Sequence, residues 1–164
     1  MKKLISLLFI SAILLCIGNM AIAQDKSALK ADSQTEISYY YSVMSETDFE
    51  TTVEQVKASL KEQGFGIVSE INMQAKLKKG AGKDIPKYLI LGACSPPGAY
   101  QALQIEEHIG VMLPCNVIVR ETKTGEIEVA AINPEKTMKS IGNPKMEPLA
   151  EEISAKLQKA LNNL

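Results

Sequence analysis

The chain has 164 residues, with 18 basic and 19 acidic side chains, a formal net charge of −1, no tryptophan and 5% aromatic residues. That balance leaves no electrostatic footprint for nucleic acid or anionic membrane, and so few rings leave no stacking platform for single strands. The length suits one domain with a core of its own, which needs no cysteine staples to fold.

The first residues read as an export signal. Lys2 and Lys3 form a charged start, an apolar run follows from Leu4 to about Gly18, and Ala21-Ile22-Ala23 gives the small-x-small pattern of a cleavage site. The expectation is a signal peptide over residues 1–23, cleaved after Ala23, and a periplasmic or secreted protein. The apolar run is shorter than the roughly 20 residues a span requires, so no stable membrane insertion is expected after cleavage. Leu15 stands before Cys16, where a lipid-attachment site wants a small residue. Cleavage removes Cys16 and leaves an even pair, Cys94 and Cys115, in an oxidising compartment.

Residues 24–36 are polar and read as a flexible leader to a single domain over 37–164. Residues 37–44 alternate, with Ile37, Tyr39, Tyr41 and Val43 on one face, which predicts a strand. Ser45 offers a helix N-cap with Asp48 three residues on. Phe49, Val53, Val56 and Leu60 then form a helical stripe that Gly64 ends. The stripe is core, not a cofactor site. A second strand is expected over 66–73, with Ile67, Ile71 and Met73 sharing a face, then a short helical turn over 74–79 broken by Gly80-Ala81-Gly82. The run Tyr88-Leu89-Ile90-Leu91 reads as a buried central strand, and Ser95-Pro96 as an N-cap with proline at the first helical position, opening a short helix to about Ile105. Residues 111–121 and 126–132 predict a hairpin turned by Lys123-Thr124-Gly125. Asn133-Pro134 and Asn143-Pro144 punctuate a loop. A closing helix carries Met146, Leu149, Ile153, Leu157 and Leu161 on one stripe. The predicted order is β-α-β-β-α-β-β-α. Hairpins outnumber long crossovers, so the class is α+β, with a mostly antiparallel sheet and helices on one face.

The chemistry centres on the two cysteines. Cys94 ends a predicted buried strand just before a predicted helix start, whose free N–H groups and positive dipole end stabilise a thiolate. Cys115 opens a later strand after Pro114. Both fall at strand ends, where they can meet. Three readings stay open: a structural disulfide or packed thiols, a redox-active or thiol-handling pair, and a soft-metal site. A bridge closing the loop between Cys94 and Cys115 would contribute about 3 kcal/mol in the chain-entropy model. Two thiolates are too few for a closed zinc site and suit Cu(I) better. His108, the only histidine, could complete a metal set with Cys94 and Cys115 or act as a base. Beside Glu106 and Glu107 it also fits a solvated surface residue. Glu70 lies opposite Ile71 in its strand and reads as solvated; turned inward, it could serve as an acid or base. Gly80-Ala81-Gly82 lacks the context of a phosphate loop, and Lys76, Lys78, Lys79 and Lys83 read as a solvated run.

Several stretches carry a resemblance. Gly64-Phe65-Gly66, Glu70-Ile71, Ala75-Lys76-Leu77-Lys78, the run from Tyr88 through Gly92-Ala93-Cys94-Ser95-Pro96-Pro97, the run from Ile109 through Leu113-Pro114-Cys115-Asn116-Val117, and Asn143-Pro144 resemble the bacterial family known as domain of unknown function 302. The resemblance covers about residues 39–163. Ser95 stands where that family usually has asparagine, and Asn72 where it often has aspartate. The resemblance implies a TATA-binding-protein-like α+β fold with a curved antiparallel sheet, and it allows for a homodimer. It implies no activity and no cofactor, and a shared fold says little about function.

The leading expectation is therefore an exported thiol module. Cys94 would be the nucleophile and Cys115 its resolving partner, acting on small thiols, persulfides or a soft metal. The alternative is a non-enzymatic module that binds a small ligand or peptide in an apolar pocket near Tyr39, Tyr41 and Met73, with structural cysteines.

Overall fold

The computed structural model describes residues 39–164. The expected signal peptide, the leader and the first residues of the first predicted strand lie outside the described residues. Five strands form one sheet: β1 (Tyr40–Ser45), β2 (Gly66–Asn72), β3 (Tyr88–Cys94), β4 (Cys115–Glu121) and β5 (Ile127–Ile132). Their order across the sheet is β1-β5-β4-β3-β2, and every neighbouring pair is antiparallel. The α+β class and the antiparallel sheet thus hold.

Alternation sorts the strands into two faces. Val43 pairs with Val129, Val129 with Val119, Val119 with Leu89, and Leu91 with Val117. Leu91, Val117, Val119 and Val129 are fully buried. Helices α1 (Phe49–Glu62) and α5 (Glu147–Asn162) pack against the sheet from this side, and α3 (Pro96–Ile105) packs against α5. The α1 stripe buries Val53, Val56 and Leu60, as its spacing predicts, and α5 buries Leu149, Ile153, Leu157 and Leu161. The two helices are joined by the buried Ser59 hydroxyl, which donates to the Ala160 carbonyl at 2.8 Å.

Local chemistry shifts several predicted boundaries. Asp48, not Ser45, caps α1: its carboxylate accepts from the Thr51 N–H at 3.0 Å. Ser45 instead ends β1 and bonds the hydroxyls of Thr47 and Thr52. In β2 the register slips, because Ile67 pairs with Ala93 but Ser69 with Gly92. The extra residue, Val68, is 63% exposed. The bulge therefore sends Ile67 to the core face and Ile71, opposite Ile90, to the other, so the two do not share a face.

Met73 is not in the strand at all. It starts α2 (Met73–Ala81), a full helix where only a turn was expected. Asn72 caps it by accepting from the Ala75 N–H at 2.9 Å, and Gly82 closes it at φ 63°. Lys78 and Lys79 sit in its last turn, where the dipole favours cations. The helical capping at both ends outweighs the cost of Gly80 inside. The order gains this helix between β2 and β3, and a four-residue α4 (Pro134–Thr137) after β5. Residues 111–112, expected in a strand, end a 3₁₀ helix (Glu107–Met112). Pro114 has no N–H to give a ladder, so β4 begins only at Cys115.

Candidate functional site: a cysteine pair at one end of the sheet

The register of the central strands brings the cysteines together. Cys115, the first residue of β4, lies directly opposite Ala93, and Cys94 follows as the last residue of β3. Cys94 in turn pairs with Gly66 at the start of β2. The Leu113–Pro114 peptide that leads into Cys115 is cis. Pro114 also lies over Gly92: a Cβ on Gly92 would stand 2.8 Å from Pro114 Cγ and closer still to the Ser69 hydroxyl. Any larger residue there would force the Ser69 or Pro114 side chain to shift.

Helix α3 opens two residues after Cys94, as predicted, with Ser95 at the N-cap and proline at the first positions. The support it lends a thiolate differs from expectation. Pro96 and Pro97 carry no N–H, so two donors of the first turn are missing. The Ser95 side chain makes no capping bond, while its carbonyl accepts from the Ala99 N–H at 2.8 Å. Gly98 lets α3 approach α5, since a Cβ there would lie 3.0 Å from Ile153 Cδ1.

Both thiols are free. The bridge considered from the sequence is not formed. Cys94 is half-buried and Cys115 buried. They border one small apolar cavity of about 20 Å³, whose walls include Phe65, Leu113, Met138 and Ile153. Burial, and then the neighbouring Cys94, push the Cys115 thiol up to about 11. Cys115 is thus a neutral thiol near pH 7, beside a more accessible Cys94.

The remaining predicted residues lie elsewhere. His108 is on the surface, its side chain 83% exposed, with Nδ1 3.6 Å from a Glu106 carboxylate oxygen, and it does not border the cavity. Glu70 lies four residues along β2 from Gly66, on the helix-covered side after the bulge, and its carboxylate is 2.9 Å from Lys57 Nζ of α1. The Glu70 bond is the main reason the Lys57 ammonium is held above its usual range. Among the described residues no group of three histidine, cysteine, aspartate or glutamate side chains is placed to hold a metal. Tyr39, Tyr41 and Met73 are placed apart in the fold: Tyr41 packs against the core, Met73 starts α2, and Tyr39 lines an open groove on the uncovered face of the sheet. That groove, about 460 Å³, is also bordered by Tyr40, Tyr88, Ile118 and the Arg120–Glu128 ion pair.

Met138 is the residue that sequence reasoning missed. It stands in the stretch read as a punctuated loop, and only packing of the segment after β5 against α5 carries it to the cysteines.

The sequence model described as a domain of unknown function, DUF302, matches residues 41–164. The chain belongs to the DUF302 family. A solved structure described as an uncharacterized conserved DUF302 protein from Bacillus stearothermophilus is 26% identical, covers 76% of this chain and 97% of its own, and superposes with a TM-score of 0.72. No curated protein matches the chain. One departure of this DUF302 chain now has a physical role. Asn72 caps α2, a task that aspartate performs as well.

Proposed function

We propose that this DUF302 protein is an exported thiol module in which Cys94 reacts and Cys115 is its buried partner. The charged and apolar start of the chain supports export. The observation that carries the reading is the asymmetry of the pair: two free thiols border one cavity, one half-buried and one buried. A pair kept only for packing has no need of a shared void or of unequal burial. The cavity takes about one water-sized atom, since a water requires roughly 10–15 Å³. The partner therefore presents a single soft atom to the sulfurs: the sulfur of a small thiol, the outer sulfur of a persulfide, or a soft metal ion. With a persulfide, the Cys94 thiolate attacks the outer sulfur, the sulfur–sulfur bond breaks, and the departing thiolate leaves Cys94 carrying the extra sulfur. No outside oxidant enters that step.

Alkylation of the reduced protein with iodoacetamide at pH 7, followed by mapping of the modified peptides, tests this. Cys94 is expected to react at least about tenfold faster than Cys115, following exposure and thiolate access, and Cys94→Ala is expected to abolish the fast phase. Two equally slow thiols that react only on unfolding would make the sulfurs packing alone.

A second reading rests on the open groove with its three tyrosines. There the protein binds a small ligand or peptide on the uncovered sheet face. Ligand-induced change in tyrosine fluorescence, unchanged by Cys94→Ala, would favour it.

A further inference from the structure

A third sulfur-bearing residue, Met138, lines the cavity that the two cysteines border. Met138 begins the 3₁₀ turn Met138–Ile141 and is 8% exposed. Apart from Ser95 the other walls are apolar, with Phe65, Leu113, Leu149 and Ile153 among them. We infer that Cys94, Cys115 and Met138 form a three-sulfur site for a soft monovalent cation of the Cu(I) type. The inference rests on the reading of Cys94 and Cys115 as a working pair, and it names which soft partner that pair takes.

Three observations select that chemistry. The first is donor type. Thiolate and thioether sulfur prefer Cu(I), whereas magnesium, calcium and manganese require oxygen. Zinc would want three or four cysteine, histidine or carboxylate ligands, and among the described residues no group of three such side chains is placed to hold it. His108, the third ligand suggested by the sequence, is on the surface, and Met138 stands at the cavity in its place. The second is size. About 20 Å³ has room for one atom, which a bare ion fills whole and an organic partner only with its end atom. The third is the thioether itself. It cannot accept a sulfur atom from a persulfide and return it, so a sulfur-transfer site gains nothing from it, but a Cu(I) site gains a neutral soft ligand on a flexible side chain.

The surroundings supply an approach. Met138 also lines an open cleft of about 460 Å³ that neither cysteine borders. Glu135, Glu147 and Glu151 border that cleft, with Lys139 as the opposing charge. The carboxylates draw a cation towards the cleft, and Met138 is the side chain common to cleft and cavity.

The test is a Cu(I) titration of the reduced full chain, without oxygen, against bicinchoninate as competing chelator, followed by X-ray absorption at the copper edge. One Cu(I) per chain and a shell of three sulfurs are expected. Cys94→Ser and Cys115→Ser should lose the ion to the chelator. Met138→Leu conserves volume and should keep the fold by circular dichroism, yet weaken Cu(I) at least about tenfold, a loss that even an outer-shell partner produces, and leave two sulfurs in the shell. Copper held wholly by the chelator, or bound equally by wild type and Met138→Leu, overturns the site. The alkylation rate of the metal-free protein separates the two readings. Fast Cys94 without Cu(I) binding removes the metal site and leaves the thiol module. Slow Cys94 without Cu(I) binding removes both.

Discussion

At the residue scale, Cys115 couples the site to stability. Its thiol is raised from 9.0 to about 11 by burial first and by Cys94 second. The unfolded chain sheds this proton near its ordinary value, whereas the folded chain holds it until about 11. Between those limits the unfolded state binds fewer protons, so stability falls as pH rises. The contribution is complete below pH 9 and is lost on passing 11, on the order of 3 kcal/mol for two pH units. Lysines and tyrosines titrate in the same window, so the measurement is a difference. Urea midpoints of wild type and Cys115→Ala are compared from pH 8 to 11, and only the wild type should carry this slope. Asn72 gives a second residue-scale expectation. Asn72→Ala removes the cap of α2 and should cost about 1 kcal/mol, while Asn72→Asp should cost almost nothing in a thermal melt. A carboxylate required for chemistry at this position would instead make the aspartate variant more active than wild type.

At the element scale, the cysteines are placed by strand ends and by what crowds them. Gly92 lies under Pro114, and Pro114 delivers Cys115 to the start of β4. Gly92→Ala would drive a methyl group into Pro114 and the Ser69 side chain. A cost of about 1–3 kcal/mol is expected from overpacking, together with faster alkylation of Cys115 as its surroundings loosen. A melt and a peptide map check both. Helix stripes were legible in the chain because their periods are set by burial: Val53, Val56 and Leu60, and Leu149 to Leu161, fall where the pattern puts them. The run from Tyr88 is a strand as expected, but only Leu91 of Tyr88–Leu91 is buried, because one face of β3 is uncovered. The β2 bulge was not legible, since nothing in Gly66-Ile67-Val68-Ser69 marks an extra residue before its partner strand is known. Helix α2 hid behind two glycines, one inside the helix and one at its left-handed end. Capping by Asn72 decides that competition, and its signal is weak without the strand that precedes it.

At the scale of the whole molecule, the antiparallel α+β class was legible, but the hairpins expected to dominate reduce to one, β4–β5; the other strand connections run through helices. The strand order was not legible, because β1 joins β5 at one edge and α1 crosses the sheet to start β2 at the other. The same long-range packing explains why two of the three sulfur-bearing residues at the cavity were readable and the third was not. Cys94 and Cys115 stand out by residue type. Met138 is 23 positions from Cys115 and reaches it only through the turn that docks on α5. No helix among the described residues is long and apolar enough to cross a membrane.

The strand order has one further outcome for the two thiols. β2 is an edge strand, and Cys94 borders it through Gly66, while Cys115 sits on β4 between β3 and β5. Edge strands fray by local opening, and interior strands open only with the whole domain. Breathing of β2 therefore uncovers the flank of Cys94 and leaves Cys115 enclosed. The order in which the sulfurs meet solvent is set by the sheet, and amide hydrogen exchange along β2 and β4 would read the two openings separately.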